Sequence, residues 1–515
     1  MAKKVKRQRG HAAPPEDLHQ AVRLGTRAVL GGQIASQLVS LGVLAILFRL
    51  LAKEDYGTLG LALPAVMLPR MAATLGLSAA TVQEQELRPG QMTTLFWLNL
   101  ACGGAAALAT IACGPLLAWC YHDPVQTPLC GVLGLTTLLV GAGNLHQSLL
   151  ERSLRFAPLS RLRFAALAAG GLAAILVAWN NVGVWALVVQ QAVECLLLTL
   201  GAWYLERWRP DWPARGEQVG SLAMFSGYYT LSNLVFYVSQ NLDKLLFPLL
   251  LGEKSKAAVG LYSQAFNLTM RIVYVVTSAL AGVMLPALSR ARGDAKLYGD
   301  LAARFFRLLG IALFPCGVGL HLAAHEVMLV LGGTSWSDAG WILAMLAPAI
   351  LVQGFINVAG SIFGSCGRAG RLLFGAVVIC LLLIQGFVAA NYCGRYIPAP
   401  TGSTLLADFG PTVAMAASFS AVSILVIFPP YLQFCLATAG VPLQLALRPL
   451  LPALRAAALM GLIVWGLRQG LLALETPALP RLLLMVGTGA VFYALLAWNE
   501  LRWFGRELAT IRGLD

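Results

Sequence analysis

Residues 372–390 read LLFGAVVICLLLIQGFVAA and contain no charged side chain. About 20 consecutive apolar residues carry a helix across the hydrocarbon core of a bilayer, so this stretch is predicted to be a transmembrane helix. The rest of the 515-residue chain has the same character, since 58% of its residues are hydrophobic and only 12% are charged. Soluble domains are about 25% charged. The composition excludes a water-soluble globular protein.

About fourteen apolar stretches of this kind follow one another along the chain. We therefore predict an all-α polytopic membrane protein with about 14 transmembrane helices. The predicted crossings are residues 28–50, 58–79, 93–119, 129–150, 164–179, 184–205, 222–250, 259–285, 308–322, 341–363, 372–390, 412–435, 450–467 and 482–498.

A weak internal repeat indicates two similar halves. The letters LFRLL at residues 47–51, followed by Gly60, recur as LFPLL at residues 246–250, followed by Gly260. Six predicted crossings separate the two copies, which gives the halves the same orientation, and we predict two six-helix lobes related by pseudo-twofold symmetry. The predicted division is a cytoplasmic basic tail (1–27), an N-lobe (28–205), a cytoplasmic linker (206–221), a C-lobe (222–435) and a C-terminal part with two further crossings (436–515).

The distribution of charge predicts the orientation in the membrane. The formal net charge is +14, and most of the 37 Lys and Arg residues fall in every second connection, for example within residues 152–163 and 290–307. Alternate connections such as residues 180–183 carry none. Because basic side chains remain on the cytoplasmic side, both termini are predicted to be cytoplasmic. Topology and anionic lipid headgroups account for the charge, which gives no support to nucleic-acid binding.

Two arginines lie near the middle of predicted crossings, where an ionised side chain costs about 2.5–3.5 kcal/mol. Arg70 is in the second crossing and Arg271 is in the eighth, so their positions in the two halves nearly correspond. We predict that they face each other across a central cleft and bind an anionic group, because planar guanidinium groups suit phosphate oxygens. The alternatives are an ion pair with an acidic helix residue, or snorkelling from near a helix end.

Three more charged residues within predicted crossings are candidates for coupling or charge pairing. Asp243 and Lys244 are neighbours in the seventh crossing, and adjacent helix positions point about 100° apart, so only one of them is expected to line the cleft. Asp243 either carries a proton or sodium ion for coupling or neutralises Arg271. Glu194 in the sixth crossing has the same two interpretations, coupling or charge pairing.

Signals for an enzyme are weak. His321 and His325 have the i, i+4 spacing of a metal pair and Glu326 follows, but the order is not the HExxH of zinc peptidases. The predicted outer connections are short, the longest being residues 391–411, which leaves no extramembrane catalytic domain. We therefore predict no enzymatic activity, no catalytic residue, no cofactor and no metal.

Several segments resemble those of a known family. They are LLAKEDYG at residues 50–57, residues 152–164, GVWALV at residues 183–188, residues 241–263, and LPALSR at residues 285–290. Together they resemble the polysaccharide (oligosaccharide-lipid) flippase family of the multidrug/oligosaccharidyl-lipid/polysaccharide exporter superfamily. The resemblance covers nearly the whole chain, and the run at residues 183–188 is most similar to the branch associated with lipopolysaccharide and exopolysaccharide assembly.

The resemblance implies a V-shaped pair of lobes that flips an undecaprenyl-pyrophosphate-linked oligosaccharide across a bacterial inner (plasma) membrane by alternating access. It also implies that cationic residues hold the substrate in a central cavity, and Arg70 and Arg271 lie on the helices where such residues occur. Implied partners are the lipid-linked anionic oligosaccharide, membrane lipids, a polysaccharide polymerase and other assembly proteins. Two alternatives are a cation-coupled multidrug antiporter, which would favour an acidic or aromatic pocket, and a membrane glycosyltransferase or polymerase, which would need a larger outer domain.

Overall fold

The protein is built from long helices. Every secondary-structure element in the described part of the chain is helical, which confirms the predicted all-α class. Eleven spans in this part are long and apolar enough to cross a membrane. The number rises to twelve if a further pair of helices, bent by 41° relative to each other, forms one span. The chain is a multi-pass membrane protein, while the number fourteen and the two-lobe symmetry stay predictions. The computed structural model describes residues 15–83, 89–153, 155–212, 234–235, 237–238, 241, 255–394 and 404–511.

The first half contains six long helices. They are α1 (Pro15–Leu50), α2 (Lys53–Gln83), α3 (Pro89–Tyr121), α4 (Gln126–Arg152), α5 (Phe156–Ala178) and α6 (Trp185–Leu205). Helix α3 packs along α4, α5 along α6, and α1 along α5. Glycines permit the closest of these approaches, since a Cβ on Gly103 of α3 would lie 3.0 Å from the Cα atom of Gly141 on α4.

The second half contains eleven described helices, some of which join into single spans. They are α7 (Ser255–Arg290), α8 (Ala295–Gly332), α9 (Ser337–Leu346), α10 (Ile350–Ser365), α11 (Ala369–Gly394), α12 (Thr404–Ala421), α13 (Phe428–Thr438), α14 (Leu443–Leu447), α15 (Leu451–Ala473), α16 (Ala478–Leu496) and α17 (Trp498–Ile511). A 3₁₀ turn joins α9 to α10, and a π-helical turn, Val422–Ile427, joins α12 to α13. Most of the predicted seventh crossing, residues 222–250, lies outside the described residues.

Two helices extend well beyond their predicted crossings. Helix α8 has 38 residues where residues 308–322 were predicted, because its first turns are basic and therefore fall outside the apolar stretch. The Asp294 side chain caps this extension by accepting hydrogen bonds from the backbone N–H groups of Lys296 (2.9 Å) and Leu297 (3.0 Å). Helix α1 begins at Pro15, inside the predicted basic tail, since proline suits the first turn of a helix.

The two halves meet along α2 and α7, with α1 against α8. Their contact is tightest at the end of the molecule that contains the α1–α2 connection, residues 51–52, which we call the hinge end. There the Trp336 indole stacks on Phe48 at 4.1 Å and donates a 2.8 Å hydrogen bond to the Phe48 carbonyl oxygen. Lys256 of α7 forms a 3.0 Å ion pair with Asp123 of the α3–α4 connection. These contacts close the bundle at the hinge end.

Candidate functional site

A cavity of about 670 Å³ lies between the two halves. Its walls come from α1, α2 and α7, together with two residues of the predicted seventh crossing. Arg271 is the single charged residue among the described residues that line it. The rest of the polar wall consists of amides, phenols and one hydroxyl: Gln33, Gln37, Asn241, Gln264, Asn267, Tyr237, Tyr274 and Ser278.

Arg271 reaches into this cavity from the middle of α7. It lies sixteen residues beyond Ser255, which places it about 24 Å along the helix from the hinge end. Its Nη2 atom donates a 3.0 Å hydrogen bond to the Ser40 hydroxyl on α1, so the contact joins the two halves. Its Nη1 atom is buried without a hydrogen-bond partner. The guanidinium of this cavity-lining residue therefore keeps one buried donor without a hydrogen-bond partner.

No carboxylate in the described part of the chain forms an ion pair with Arg271. The ion pairs found there all join other residues. Burying an unpaired charge is costly unless a partner or water compensates it. The arrangement therefore favours an anionic ligand. Asp243 and Lys244 lie outside the described residues, so their predicted roles in coupling or in pairing with Arg271 stay predictions.

Gln37 contributes a second unsatisfied polar atom to the same cavity. It precedes Ser40 by three residues and so lies on the same face of α1, one turn away. Its Oε1 atom is buried without a hydrogen-bond partner. An unpaired acceptor on α1 thus accompanies the unpaired donor of Arg271 on α7, and both residues line the same cavity.

Arg70 lies elsewhere. Its residue neighbour Met71 lines the cavity, but Arg70 itself is absent from the described lining, because adjacent helix positions point about 100° apart. The Arg70 Nη2 atom instead lies 3.8 Å from the Cys195 sulfur on α6, and Arg70 is close enough to Glu194 for their charges to attract. The structure places Arg271 in the cavity and Arg70 against α6, so it does not bring the predicted pair together there.

The amides of the cavity wall were not identified from the sequence. Gln33 and Gln37 are spaced i, i+4 on α1, and Gln264 and Asn267 are spaced i, i+3 on α7, so each pair shares a helix face. Single uncharged amides do not stand out in a hydropathy profile as a charged residue does. Their helical spacing inside otherwise apolar stretches was the available signal.

The histidines considered as a metal pair have structural contacts. The His321 ring lies 2.7 Å from the carbonyl oxygen of Ala344, and the Glu326 carboxylate pairs with Arg468 at 3.0 Å and Arg481 at 3.5 Å. Within the described residues no group of three metal-ligating side chains occurs. The geometry thus assigns Glu326 to helix packing.

A bundle of membrane-spanning helices with a polar cavity between its halves is the architecture of a membrane transporter. The chain belongs to the polysaccharide biosynthesis protein family, whose profile matches residues 46–340, and this confirms the resemblance found in the sequence. Over 378 residues it is 22% identical to the lipopolysaccharide biosynthesis protein WzxC of Escherichia coli (strain K12), covering 72% of this chain and 75% of that protein. Over 340 residues it is 26% identical to the succinoglycan biosynthesis transport protein ExoT of Rhizobium meliloti (strain 1021), covering 66% and 67%.

Solved structures share the fold. The chain superposes on the lipid II flippase MurJ in an inward closed conformation with a TM-score of 0.66 and 11% sequence identity, over 93% of this chain and 99% of that one. An inward-facing multidrug resistance transporter of the MATE family matches with a TM-score of 0.60 and 12% identity, over 79% and 96%. At these identities the likeness shows the fold alone.

Proposed function

We propose that this protein flips an undecaprenyl-pyrophosphate-linked oligosaccharide across the bacterial plasma membrane, for assembly of lipopolysaccharide or exopolysaccharide. The observation that carries the proposal is Arg271, whose buried Nη1 atom offers an unpaired donor inside the cavity between the halves. The names of the family and of its relatives concern the biosynthesis of polysaccharide, lipopolysaccharide and succinoglycan, which supports a saccharide substrate. The role of the protein is translocation, and a polymerase on the outer face would receive the flipped substrate.

The chemistry of the pyrophosphate suits this cavity. A guanidinium stays charged at all physiological pH values and presents its N–H donors in a plane that matches phosphate oxygens. Ser40 holds one nitrogen of Arg271, which orients the other nitrogen toward the ligand. The apolar tail stays in the bilayer, where each CH₂ group remains out of water, while the headgroup passes between the halves.

The contacts at the hinge end support alternating access as the mechanism. With the N-terminus in the cytoplasm, the α1–α2 connection faces the outside, and the tight packing of α2 on α7 closes the outer side. The substrate then enters the cavity from the inner leaflet. Separation of the Lys256–Asp123 pair and of the aromatic contact at Trp336 opens the outer side for release.

A drug antiporter fits the cavity less well. An organic cation would lie beside the positive charge of Arg271, and the described lining contains no carboxylate to attract it. A glycosyltransferase that holds its donor phosphate through a metal ion would need carboxylates to bind the metal, and the described lining contains none.

The test measures which leaflet holds the lipid-linked oligosaccharide in cells that lack this protein, using a membrane-impermeant reagent that modifies sugars. Expression of the wild-type chain should move the accumulated intermediate from the inner to the outer leaflet, and the Arg271→Ala variant should not. Unchanged outward exposure in cells lacking the protein would overturn the flippase proposal. An exposed but unpolymerised intermediate would point to an enzyme instead.

A further inference from the structure

We infer that a basic surface on the second half of the chain binds the headgroup of an anionic phospholipid. The surface consists of Arg292 in the connection between α7 and α8, Arg368 in the connection between α10 and α11, and Arg371 in the first turn of α11. We call it the arginine surface. It lies at the end of the molecule opposite the hinge end, because α7 begins near the hinge end at Ser255 and finishes at Arg290.

Two connections of the chain bring these arginines together. Gly367 has a φ of +67°, a left-handed conformation that suits glycine, and a Cβ atom on it would lie 3.7 Å from Nη1 of Arg292. The Arg292 guanidinium is therefore next to the residue that precedes Arg368. The backbone N–H of Arg371 donates a 3.0 Å hydrogen bond to the Arg368 carbonyl oxygen, which keeps both residues within a single turn. Three positive charges thus share one surface.

No carboxylate in the described part of the chain neutralises these charges. The ion pairs found there include none of the three arginines, and all three are exposed. Asp294, the acidic residue nearest to Arg292 in the sequence, accepts backbone hydrogen bonds at the start of α8. Arg371 donates a 3.0 Å hydrogen bond to a neutral group, the Thr438 hydroxyl on α13. Like charges repel each other, so an anion bound among them lowers the free energy of the arrangement.

The part of α11 next to the arginine surface is apolar and faces outward. Exposed apolar residues begin one turn after Arg371 and recur at helical spacing: Phe374, Val377, Val378 and Leu381. From Phe374 to Leu381 this stripe rises about 10 Å. One leaflet of a bilayer has a hydrocarbon depth of roughly 15 Å. An acyl chain can therefore lie along the stripe while its headgroup remains at the arginines.

Arg371 connects the charged part of this surface to the apolar part. Its guanidinium carbon, Cζ, lies 5.9 Å from the centre of the Phe434 ring on α13, and the centre of the Phe374 ring lies 6.0 Å from that of Phe434. An arginine at a membrane boundary lies in this way, with its stem against apolar side chains and its charge toward water and headgroups. The arginine surface is thus at headgroup depth.

The position favours a phospholipid of the surrounding bilayer over the transported substrate. None of the described residues that line the cavity between the halves comes from α11, so the arginine surface and the cavity are separate. Basic pockets at the cytoplasmic ends of transmembrane helices bind anionic headgroups, and the distribution of charge predicts that this end is cytoplasmic. Phosphatidylglycerol supplies a phosphodiester anion, whose oxygens suit guanidinium donors. This inference goes beyond the proposed function and does not depend on it.

The test measures, by native mass spectrometry, how tightly the delipidated full-length protein binds two lipids with the same acyl chains. Dioleoyl phosphatidylglycerol is anionic and dioleoyl phosphatidylcholine is zwitterionic. The wild-type protein should bind the first at least about tenfold more tightly. Arg368→Gln should reduce this preference about fivefold, because a basic residue near a membrane surface contributes about 1 kcal/mol to the binding of anionic lipid.

Two further variants keep the result interpretable. Arg292→Gln, on the other connection, should reduce the preference by a similar factor, which covers the case in which Arg368→Gln does not fold. Arg161→Gln is the matched control, since it removes one exposed positive charge from the same end of the first half, where the guanidinium donates only to the Ala157 carbonyl oxygen. It should behave as wild type. Monodisperse elution in size-exclusion chromatography is required of each variant before binding is measured.

Four outcomes would overturn the inference. The first is equal affinity of the wild-type protein for the two lipids, and the second is an equal loss of preference in Arg161→Gln. Displacement of phosphatidylglycerol by glycerol 3-phosphate, which has no acyl chain, would show a site for free phosphate. Stronger displacement by a polyprenyl pyrophosphate than by unlabelled phosphatidylglycerol would assign the surface to the substrate. Since none of these measurements concerns translocation, failure of the inference leaves the proposed function standing.

Discussion

Gly57 of α2 and Gly260 of α7 make reciprocal contacts at the hinge end. A Cβ atom on Gly57 would collide with the carbonyl oxygen of Lys256, and one on Gly260 would collide with the carbonyl oxygen of Lys53. Two helix backbones approach this closely only where side chains are missing. The closed state is therefore held by a backbone contact that any side chain at these positions would break.

Gly57→Ala and Gly260→Ala should each open the hinge end. Overpacking costs about 1–3 kcal/mol, and a coupling of this size shifts an equilibrium roughly 5–150-fold. A cysteine introduced by T58C, at a position that is buried in the closed state, should react faster with a membrane-impermeant maleimide. Gly42→Ala is the control, because a Cβ there meets nothing within 4 Å. Equal labelling in all variants would contradict the proposed gate.

Arg271→Ala should abolish transport, because it removes the only described charge that lines the cavity. Arg271→Lys should retain part of the activity, since an ammonium keeps the charge but loses the planar pair of donors. The leaflet distribution of the lipid-linked oligosaccharide is the measurement. Arg163→Ala, which breaks the half-exposed 2.8 Å pair with Glu151, is the control and should transport normally. Normal transport by Arg271→Ala would remove the basis of the proposed site.

Arg70→Ala is expected to abolish transport, and the structure supplies a way to find out why. If Arg70 acts by neutralising Glu194, the second substitution Glu194→Gln should restore activity in the Arg70→Ala background, because no buried charge is then left without a partner. If Arg70 binds substrate, the double variant should stay inactive. The measurement is the same leaflet assay on both single variants and the double variant.

Glu326→Gln should loosen the two C-terminal membrane helices. The fully buried Glu326 carboxylate on α8 pairs with Arg468 on α15 and Arg481 on α16, so it fastens both helices to the rest of the bundle. Removing one partner of a buried ion pair costs about 3–5 kcal/mol. The thermal unfolding midpoint of the purified protein should fall. Glu475→Gln, at an exposed residue, should leave that midpoint unchanged; an equal fall would show that the effect is nonspecific.

Asp55, at the hinge end, should make the stability of the folded protein depend on pH. It lies before the second predicted crossing and accepts a 3.1 Å hydrogen bond from the backbone N–H of Ala52. Burial raises the pKa of this carboxyl above its usual value, and the backbone hydrogen bonds from Ala52 and Val184 offset the effect only in part. The neutral form is therefore more favoured in the folded protein than in the unfolded chain. The resulting stabilisation is complete below the unfolded pKa of about 3.9 and is lost as pH rises through the raised folded pKa.

Two substitutions separate charge from hydrogen bonding at Asp55. Asp55→Asn keeps an acceptor without the charge, so at pH 7 it should be at least as stable as wild type and should lose the pH dependence. Asp55→Ala leaves the Ala52 N–H without its acceptor and should cost about 1 kcal/mol at every pH. Thermal unfolding between pH 4.5 and pH 8 measures both effects. A wild-type protein that becomes steadily less stable toward pH 4.5, with Asp55→Asn unaffected, would contradict the assignment.

The sequence predicted the class of the fold well because every residue facing lipid meets the same apolar solvent. Hydropathy alone therefore located the spans, including residues 372–390 within α11. It did not locate the polar ends of helices: the first turns of α8 are basic and lie outside its apolar stretch. A membrane helix can continue beyond the bilayer into polar residues, whereas hydropathy reports only the part of the helix that lies in lipid.

Helix rotation explains why only one of the two predicted arginines lies among the described residues that line the cavity. Arg70 and Arg271 nearly correspond in sequence, yet their side chains point differently, and a rotation of about 100° per residue is enough to take Arg70 out of the described lining. Gln37 and Arg271, which line the same cavity, are more than 200 positions apart in the sequence. No local pattern reports such a pairing, since it depends on how α1 and α7 are placed together.

The hydrogen bond between Ser40 and Arg271 gives the cavity a property of its own. The Ser40 hydroxyl on α1 accepts this hydrogen bond as a ligand oxygen would, and the bond links one half of the molecule to the other. Under the proposed function, a phosphate that enters the cavity competes for the same guanidinium, so its binding weakens a contact between the halves at the moment when they must begin to separate. Release of the phosphate allows Arg271 to donate its hydrogen bond to the Ser40 hydroxyl again. Substrate binding and substrate release are thus opposite directions of one exchange of hydrogen-bond partners at Arg271.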